Sequence, residues 1–317
     1  MTNNPVIPDK SILFKPVRDT YGSRLALVFG NEFKSGECPF YTAKQCYHCD
    51  IGAGERTQFT TEMNRKRLEF FKQYYGIVLS DVEHLVLYNS GSTLNRREFS
   101  RETLADVLDY ASSLDKCKIV SLDSREMYMT GDSLDHVVDY LRKDQQTRVI
   151  LGIESQDDDV RIGKLNKRMT KQGIKKAFET AGRYQGKVGI DINIVFQPPE
   201  LIGEDAIREA VNTLRYGLDL GERYIIRVDF NFHPYYPSKR GIEIHQVHPR
   251  ANLTDAKNAL VQMKNEITKR GSNSSIFIGW QDEGHDQEDE LRKMELEQEI
   301  IKFAKFNISQ NSECLLN

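Results

Sequence analysis

Short apolar runs, several of them rich in β-branched residues, alternate along the chain with longer stretches in which apolar residues recur at helical spacing. The longer stretches predict helices over residues 62–75, 103–114, 134–141, 171–184, 204–218 and 253–268. The short runs predict buried strands over residues 25–29, 84–88, 118–122, 148–153, 190–196, 224–230 and 276–279. Such alternation predicts parallel strands joined by right-handed crossovers, and about six or seven units fit a partial α/β barrel better than a complete eightfold one.

One main domain is expected, because no internal repeat or low-complexity linker divides the 317 residues. We predict an N-terminal extension over residues 1–22, the partial barrel over 23–281 and a charged C-terminal helix and tail over 282–317. Residues 282–299 include nine acidic and two basic residues, a balance typical of a solvated helical face.

Composition excludes several classes of protein. A chain with 39% hydrophobic and 29% charged residues is neither disordered nor collagen-like. No run approaches the roughly 18 apolar residues of a membrane-spanning helix, and the polar first ten residues do not resemble a signal peptide. We therefore expect a cytoplasmic protein without a membrane partner. The net charge of −3 gives no general basic bias towards nucleic acid.

The cysteines point to metal. Cys46 and Cys49 form a C-x2-C pair after the first predicted strand, Cys38 lies eight residues before Cys46, and Cys117 and Cys314 are isolated. An odd number of cysteines without a secretory signal indicates a reducing compartment and a metal site rather than disulfides. Three thiolates would suit a [4Fe–4S] cluster that leaves one iron free for an outside ligand.

The alternative is a structural zinc site built from the same three cysteines and a histidine, in a binding module that is not an enzyme. Structural zinc sites usually show two spaced ligand pairs, and here the second pair is missing. His48 lies between Cys46 and Cys49, too close along the chain to complete a tetrahedron readily.

The cysteine loop resembles that of the radical S-adenosylmethionine (SAM) superfamily. The usual spacing there is C-x3-C-x2-C, and the C-x7-C-x2-C of this chain is similar to the archaeosine synthase radical SAM subunit and the Elongator catalytic-subunit-like group. The resemblance implies a partial (β/α)6-type TIM barrel in which Cys38, Cys46 and Cys49 hold the cluster and SAM binds its free iron. It also places His48, where the superfamily commonly has an aromatic residue, beside the adenine.

The loop after the second predicted strand resembles a Ser-Gly-Ser segment that binds the amino group of SAM in the same group. It consists of Asn89, Ser90, Gly91 and Ser92. The glycine permits close backbone approach, and its neighbours supply carbonyls and hydroxyls to an ammonium group. Without the resemblance, the segment would be an ordinary Asn-Ser-Gly turn.

Three further strand ends continue the resemblance, which runs from about residue 25 to residue 231. Asp123 and Arg125 match a Glu-Ser-Arg segment, which implies that Arg125 binds the SAM carboxylate and Asp123 a hydroxyl; alone, they would be read as a surface ion pair. Glu154 lies in a Gly-Leu-Glu-Ser-like segment and is expected at the ribose or methionine part. Gln197 precedes two prolines in a turn similar to the Lys-Pro-Pro turn near the adenine.

The loop after the sixth predicted strand is rich in aromatic residues. Its Asn231, His233 and Tyr235 are candidate substrate contacts that would also keep water from a radical. The same residues could instead form a proline-rich cap over the barrel.

The resemblance implies an enzyme that receives one electron from an external flavodoxin- or ferredoxin-type donor. It would cleave SAM reductively, usually to methionine and a 5′-deoxyadenosyl radical. We expect a small biosynthetic metabolite as substrate, since the net charge is −3 and neither an RNA-binding extension nor auxiliary-cluster cysteines are evident.

Two alternatives stay open. One is an archaeosine-type lyase that acts on a modified tRNA base with a partner protein; residues 161–176, with seven basic and no acidic residues, would contact phosphate or form a solvated helical face. The other is cleavage of a different SAM bond to transfer an aminocarboxypropyl group.

Overall fold

The computed structural model describes residues 16–54, 56–245, 250–279 and 290–316. Its centre is one eight-stranded sheet with the strands side by side in chain order, curled into a nearly closed barrel. The first strand is antiparallel to the second, and the other neighbours are parallel. The strands are β1 Val17–Asp19, β2 Gly22–Phe29, β3 His84–Asn89, β4 Ile119–Ser124, β5 Gln146–Glu154, β6 Val188–Phe196, β7 Val228–Pro234 and β8 Ile276–Ile278.

Helices connect the parallel strands and cover the outside of the barrel. Threonine and serine side chains cap the start of several of them; Thr60, for example, accepts a hydrogen bond from the Met63 N–H. The helices are α1 Pro39–Thr42, α2 Thr61–Ser80, α3 Arg101–Ser113, α4 Gly131–Val138, α5 Lys171–Gly182, α6 Gly203–Tyr224, α7 Lys239–His245, α8 Leu253–Lys269, α9 Glu290–Ser309 and α10 Glu313–Leu316. Within the described residues, every helix is too short or too polar to cross a bilayer.

The predicted α/β partial barrel is confirmed. The main core lies between the outer face of the sheet and the helices, and a small second core of Ala26, Val86 and Ile150 fills the barrel interior. The Arg24 guanidinium of β2 lies 3.9 Å from the ring centre of Phe277 in β8, so the two ends of the parallel series approach each other. Because the strands are parallel, the loops that follow them gather at one rim, where ligand sites of such folds lie.

Two elements differ from the sequence prediction. The apolar run that predicted a strand from residue 224 belongs partly to α6, which continues to Tyr224 and ends where Ile225 adopts a left-handed conformation with φ 56°. The strand itself begins at Val228 and reaches Pro234. The short strand β1, inside the segment predicted as an N-terminal extension, was not predicted, because three residues are too few to show a period.

The C-terminal helix α9 packs against the strands of the barrel. Part of the predicted acidic stretch, residues 282–289, lies outside the described residues. Further along, Phe303 and Phe306 are buried against the sheet. The Asn307 amide accepts from the Ile278 N–H at 2.8 Å and donates to the Ile278 carbonyl at 3.1 Å, and Gln310 does the same for Ile276. The two side-chain amides therefore form the hydrogen bonds to the backbone at the edge of β8 that a ninth strand would otherwise form.

Changing Asn307→Ala is therefore expected to destabilise the fold, because it leaves the N–H and C=O of Ile278 buried without partners. We expect the free energy of unfolding to fall by about 2 kcal/mol, measured by urea denaturation. Lys305→Ala, on an exposed position of the same helix, is the control and should change it by less than about 0.5 kcal/mol. Equal effects of the two changes would show that α9 does not support the sheet edge.

A buried polar network closes the opposite, N-terminal end of the barrel. Asp19 Oδ2 lies 2.6 Å from His84 Nδ1, and His84 Nε2 lies 2.7 Å from Ser121 Oγ. Burial alone would raise the pKa of Asp19, but His84 and Arg24 overcome this and lower it to about 2. The geometry resembles a hydrolytic triad, yet Ser121 is 0% exposed and so cannot meet a substrate. The network holds β1 in the barrel.

Candidate functional site

The three clustered cysteines lie on one loop at the rim where the strands end. Cys38 caps the start of α1, and its N–H donates to the Gly52 carbonyl at 2.9 Å. The Cys46 N–H donates to the Asn166 carbonyl at 3.2 Å, and the Cys49 N–H donates to the Cys46 carbonyl at 3.0 Å. The loop after β2 is thus bound to the loop after β5, and all three thiols are half-buried.

Burial raises the pKa of two of these thiols, Cys38 and Cys49, well above the usual cysteine value. Burial raises the pKa of Cys38 to about 12, with additional contributions from Glu98 and Cys46. Burial also raises the pKa of Cys49 to about 12, with the largest further contribution from Cys46. A metal bound by these thiols would displace their protons.

The polar atoms around the loop fit a bound group. Four buried side-chain atoms on or beside it make no hydrogen bond: Gln45 Oε1, His48 Nδ1, Arg125 Nε and Glu126 Oε2. Orphaned polar atoms are rare in folded proteins and call for a partner. Among the residues that the structure describes, no three His, Cys, Asp or Glu side chains converge closely enough to bind a single metal ion. Such convergence would suit zinc, whereas a four-iron cluster binds each thiolate through a different iron.

Arg125, the expected SAM carboxylate ligand, braces the cysteine loop. Its Nη1 donates to Cys46 Sγ at 3.5 Å, its Nη2 donates to the Lys167 carbonyl, and its guanidinium lies 3.8 Å from the ring centre of Phe40. The side chain is buried, and its charge would offset the negative charge of a thiolate. Its Nε, 3.7 Å from Glu126, still lacks a hydrogen bond.

Glu154 forms a buried ion pair close to Arg125. Lys167 Nζ lies 2.5 Å from Glu154 Oε1, and His48 Nε2 lies 3.5 Å from the same oxygen. Burial opposes ionisation of Glu154, but Lys167 and His48 outweigh it and hold its pKa well below the usual range. Burial also opposes the charge on Lys167, yet Glu154 and Cys46 raise its pKa. His48 therefore faces a carboxylate with one ring nitrogen and leaves the other unpaired.

Asp123 lies at the end of β4 inside the mouth of the barrel. Burial raises its pKa to about 7, and although Lys167 opposes the shift, Glu154 and Glu98 add to it. With its pKa raised in this way, the carboxyl can carry a proton near neutral pH and then donates a hydrogen bond as well as accepting one. His233 lies near enough to act against the shift.

The Asn-Ser-Gly-Ser loop is folded around a carboxylate. The Asn89 side chain accepts from the Gly91 N–H at 3.0 Å and donates to the Glu98 carbonyl at 3.2 Å. The Ser92 N–H donates to Glu98 Oε2 at 3.2 Å. A Cβ at Gly91 would lie 1.6 Å from that oxygen, so any other residue would have to displace this buried, hydrogen-bonded carboxylate. The sequence predicted that Gly91 lets the backbone approach a ligand closely. In the structure, the backbone at Gly91 approaches the Glu98 carboxylate instead.

Glu98 was not identified from the sequence. It is 0% exposed, accepts from Asn31 at 3.3 Å and from Asn95 at 2.5 Å, and burial raises its pKa. It joins the segment that follows β2 to the loop that follows β3, and Ser90 adds a bond to the Gly36 carbonyl at 3.3 Å. In the sequence, Glu98 lies between Arg97 and Phe99 shortly before a helix, and nothing there distinguishes it from an exposed glutamate.

Gln197, expected near the adenine, is occupied by backbone contacts. Its Nε2 donates to the Arg250 carbonyl at 3.3 Å, and its Oε1 accepts from the Asn252 N–H at 2.9 Å. The side chain is buried and holds the segment before α8 against the end of β6.

The three candidate substrate residues lie on or just after β7. Asn231 donates to Asn193 Oδ1 at 3.0 Å within the barrel. His233 comes two residues later on the same face, near Asp123. Tyr235 is buried, its N–H donates to the Phe196 carbonyl at 2.9 Å, and burial raises its pKa to about 12. Asn231 and His233 give the interior a polar lining, whereas Tyr235 packs into the core.

The segment after β7 forms hydrogen bonds to the backbone of the cysteine loop. Ser238 Oγ donates to the Tyr47 carbonyl at 2.5 Å. Arg240 Nη1 donates to the carbonyls of Tyr41 and Gln45 at 2.8 and 3.2 Å. Ser238 and the basic residue Arg240 therefore position this loop.

Comparisons with known proteins are sparse. No protein-family model matches the chain. Over 135 residues, 43% of the chain, it is 28% identical to an uncharacterised protein of Methanocaldococcus jannaschii, of whose length this region covers 36%. Solved structures with some similarity include the archaeal Elp3 of Methanocaldococcus infernus with an N-terminal deletion, at 13% identity and a TM-score of 0.45 over 76% of this chain and 53% of that one. A putative α-L-fucosidase of Bacteroides thetaiotaomicron has 11% identity and a TM-score of 0.44 over 89% and 80%. Similarities at this level say nothing about activity.

Proposed function

We propose that this chain is a radical SAM enzyme in which Cys38, Cys46 and Cys49 hold a [4Fe–4S] cluster. The supporting observation is the cysteine loop at the strand-end rim, bordered by buried polar atoms that lack partners. When bound, the cluster and SAM would supply one-electron cleavage of a sulfonium C–S bond. A zinc-stabilised binding module is less favoured, because structural zinc sites usually have two spaced ligand pairs and only one C-x2-C pair is present in the sequence.

The residues around the loop would bind and orient both groups. Arg125 and Lys167 place two cations beside the thiols, which would stabilise the thiolate form. The Nε of Arg125, which makes no hydrogen bond and lies 3.7 Å from Glu126, can donate one hydrogen bond to the SAM carboxylate. Backbone carbonyls of the loop from Asn89 to Ser92 would accept from its amino group, and Asp123 would bind a ribose hydroxyl.

A small polar metabolite is the proposed substrate. Asp123, Asn231 and His233 line the barrel mouth with hydrogen-bonding groups rather than apolar surface. A tRNA substrate receives less support from the basic stretch 161–176, since Arg161 and Lys167 are buried. The electron would come from an external flavodoxin- or ferredoxin-type donor.

Anaerobic reconstitution with iron and sulfide, followed by SAM and dithionite, tests this proposal. We expect about four irons and four sulfides per chain, a broad brown absorbance and formation of 5′-deoxyadenosine. Methylthioadenosine as the product would instead indicate transfer of an aminocarboxypropyl group. A colourless protein that binds one zinc per chain would refute the enzyme.

A further inference from the structure

Two arginines contact the cysteine loop in matching ways. The Arg125 guanidinium, which follows β4, lies 3.8 Å from the ring centre of Phe40, and the Arg240 guanidinium of α7 lies 3.9 Å from that of Tyr41. Each also donates to a backbone carbonyl, Arg125 to that of Lys167 and Arg240 to that of Tyr41. The two side chains therefore stack on consecutive aromatic residues of α1 and hold the loop from two sides.

Arg125 differs from Arg240 in its contact with a thiol. Its Nη1 donates to Cys46 Sγ at 3.5 Å, whereas Nη1 of Arg240 donates to two carbonyl oxygens, at 2.8 and 3.2 Å. Arg125 is 8% exposed, and although Glu126 lies 3.7 Å from its Nε, neither that nitrogen nor Glu126 Oε2 makes a hydrogen bond. A buried cation costs free energy unless an anion pairs with it closely. A thiolate at Cys46 would be such an anion.

The neighbouring cation, Lys167, already has a close partner. Its Nζ lies 2.5 Å from Glu154 Oε1, so its charge is balanced by a carboxylate. Its backbone carbonyl accepts from Arg125 Nη2 and so fixes the guanidinium in front of the sulfur. Of the two cations, Arg125 is therefore the better placed to interact with negative charge held at Cys46.

We propose that Arg125 is a positioning residue that acts through Cys46: it donates a hydrogen bond to the Cys46 thiolate and thereby raises the reduction potential of the cluster. This role rests on the proposed function, since it concerns the same three cysteines. Hydrogen bonds to the sulfurs are among the features that set the potentials of such clusters. Reduction adds one electron, and a buried cation beside the sulfur stabilises the more negative, reduced form. The role is distinct from the binding of the SAM carboxylate that the family resemblance implies.

An anaerobic redox titration of the reconstituted protein, without SAM, tests this role. Dithionite supplies one electron per cluster through mediator dyes, no atom is transferred, and electron paramagnetic resonance measures the reduced form. For Arg125→Gln we expect the ratio of reduced to oxidised cluster at a fixed potential to fall at least about tenfold, equivalent to about 59 mV for one electron. Arg240→Gln removes the matching guanidinium but no contact to Cys46, and should change the ratio by less than about twofold.

Equal shifts in the two variants overturn the inference, because both arginines would then act only by holding the loop. A ratio that Arg125→Gln changes by less than about twofold also overturns it. If that variant binds SAM more weakly in calorimetric titration but keeps its potential, Arg125 is a SAM ligand and not a residue that tunes the cluster.

A variant that loses the cluster calls for a milder change. If Arg125→Gln holds no iron while the wild type does, Arg125→Lys is titrated instead. It keeps the charge but not the planar pair of donors, so the ratio should fall at least about threefold, and a smaller change overturns the inference. A wild type that assembles no cluster refutes the proposed function and this role together, whereas every other negative result refutes the role of Arg125 alone.

Discussion

Changing Cys46→Ala is expected to reduce the bound iron from about four atoms per chain to near zero, while the barrel stays folded. Cys46 is half-buried on a rim loop, away from the main core. The hydrogen bond from its N–H to Asn166 involves only backbone and survives the change. Iron and sulfide assays after anaerobic reconstitution measure the loss, and circular dichroism measures the fold.

The matched control is Cys314→Ala, which removes another half-buried cysteine, on α10, far along the chain from the loop. It should leave iron content and turnover unchanged. Cys117→Ala should also leave them unchanged, although Cys117 is fully buried and its loss is expected to cost roughly 1 kcal/mol of stability. A full complement of iron in the Cys46 variant would refute the ligand assignment, and loss of iron in either control would reveal a missing ligand.

Changing Lys167→Met is expected to lower the free energy of unfolding by about 3 kcal/mol at pH 7, because it leaves the buried Glu154 carboxylate with His48, 3.5 Å away, in place of the closer lysine. The effect depends on pH. The lowered pKa of Glu154 stabilises the wild type above about pH 4.5, the ordinary glutamate value, and this contribution is lost as the pH falls. Without Lys167, the strongest influence that lowers the pKa of Glu154 is lost while burial still raises it, so the carboxylate of the variant binds a proton at higher pH than that of the wild type. The difference between the two proteins should therefore shrink below pH 4.5, as measured by urea denaturation across pH.

Two controls separate this ion pair from general effects of losing a charge. Lys164→Met removes the partner of Glu200 in a more exposed pair, and it should cost less than about 1 kcal/mol. The double variant Glu154→Leu/Lys167→Met removes both buried charges and should recover at least half of the loss. If Lys164→Met and Lys167→Met have equal effects, the buried pair does not stabilise the rim in the way that its geometry indicates.

Local sequence patterns predicted most of the strands and helices. The periods of β5 and α3 depend only on residues a few positions apart, so the sequence predicted them within a few residues. The position of the cysteine loop after the first parallel strand was equally readable, because it follows from chain order alone. The pattern failed at β1, whose three residues are too few to show a period and which is held in the barrel by the contact of Asp19 with the distant His84.

The sequence by itself determined a partial α/β barrel with three cysteines at one rim, since short-range periodicity and spacing specify both. Only the tertiary structure decided what each polar side chain contacts. Arg125 braces Cys46, Glu98 supports two loops, and Gln197 is occupied by backbone, because closing the barrel brings together residues dozens of positions apart. Burial in that closed rim then sets the charge of Glu154 and Asp123, which no local pattern of residues encodes.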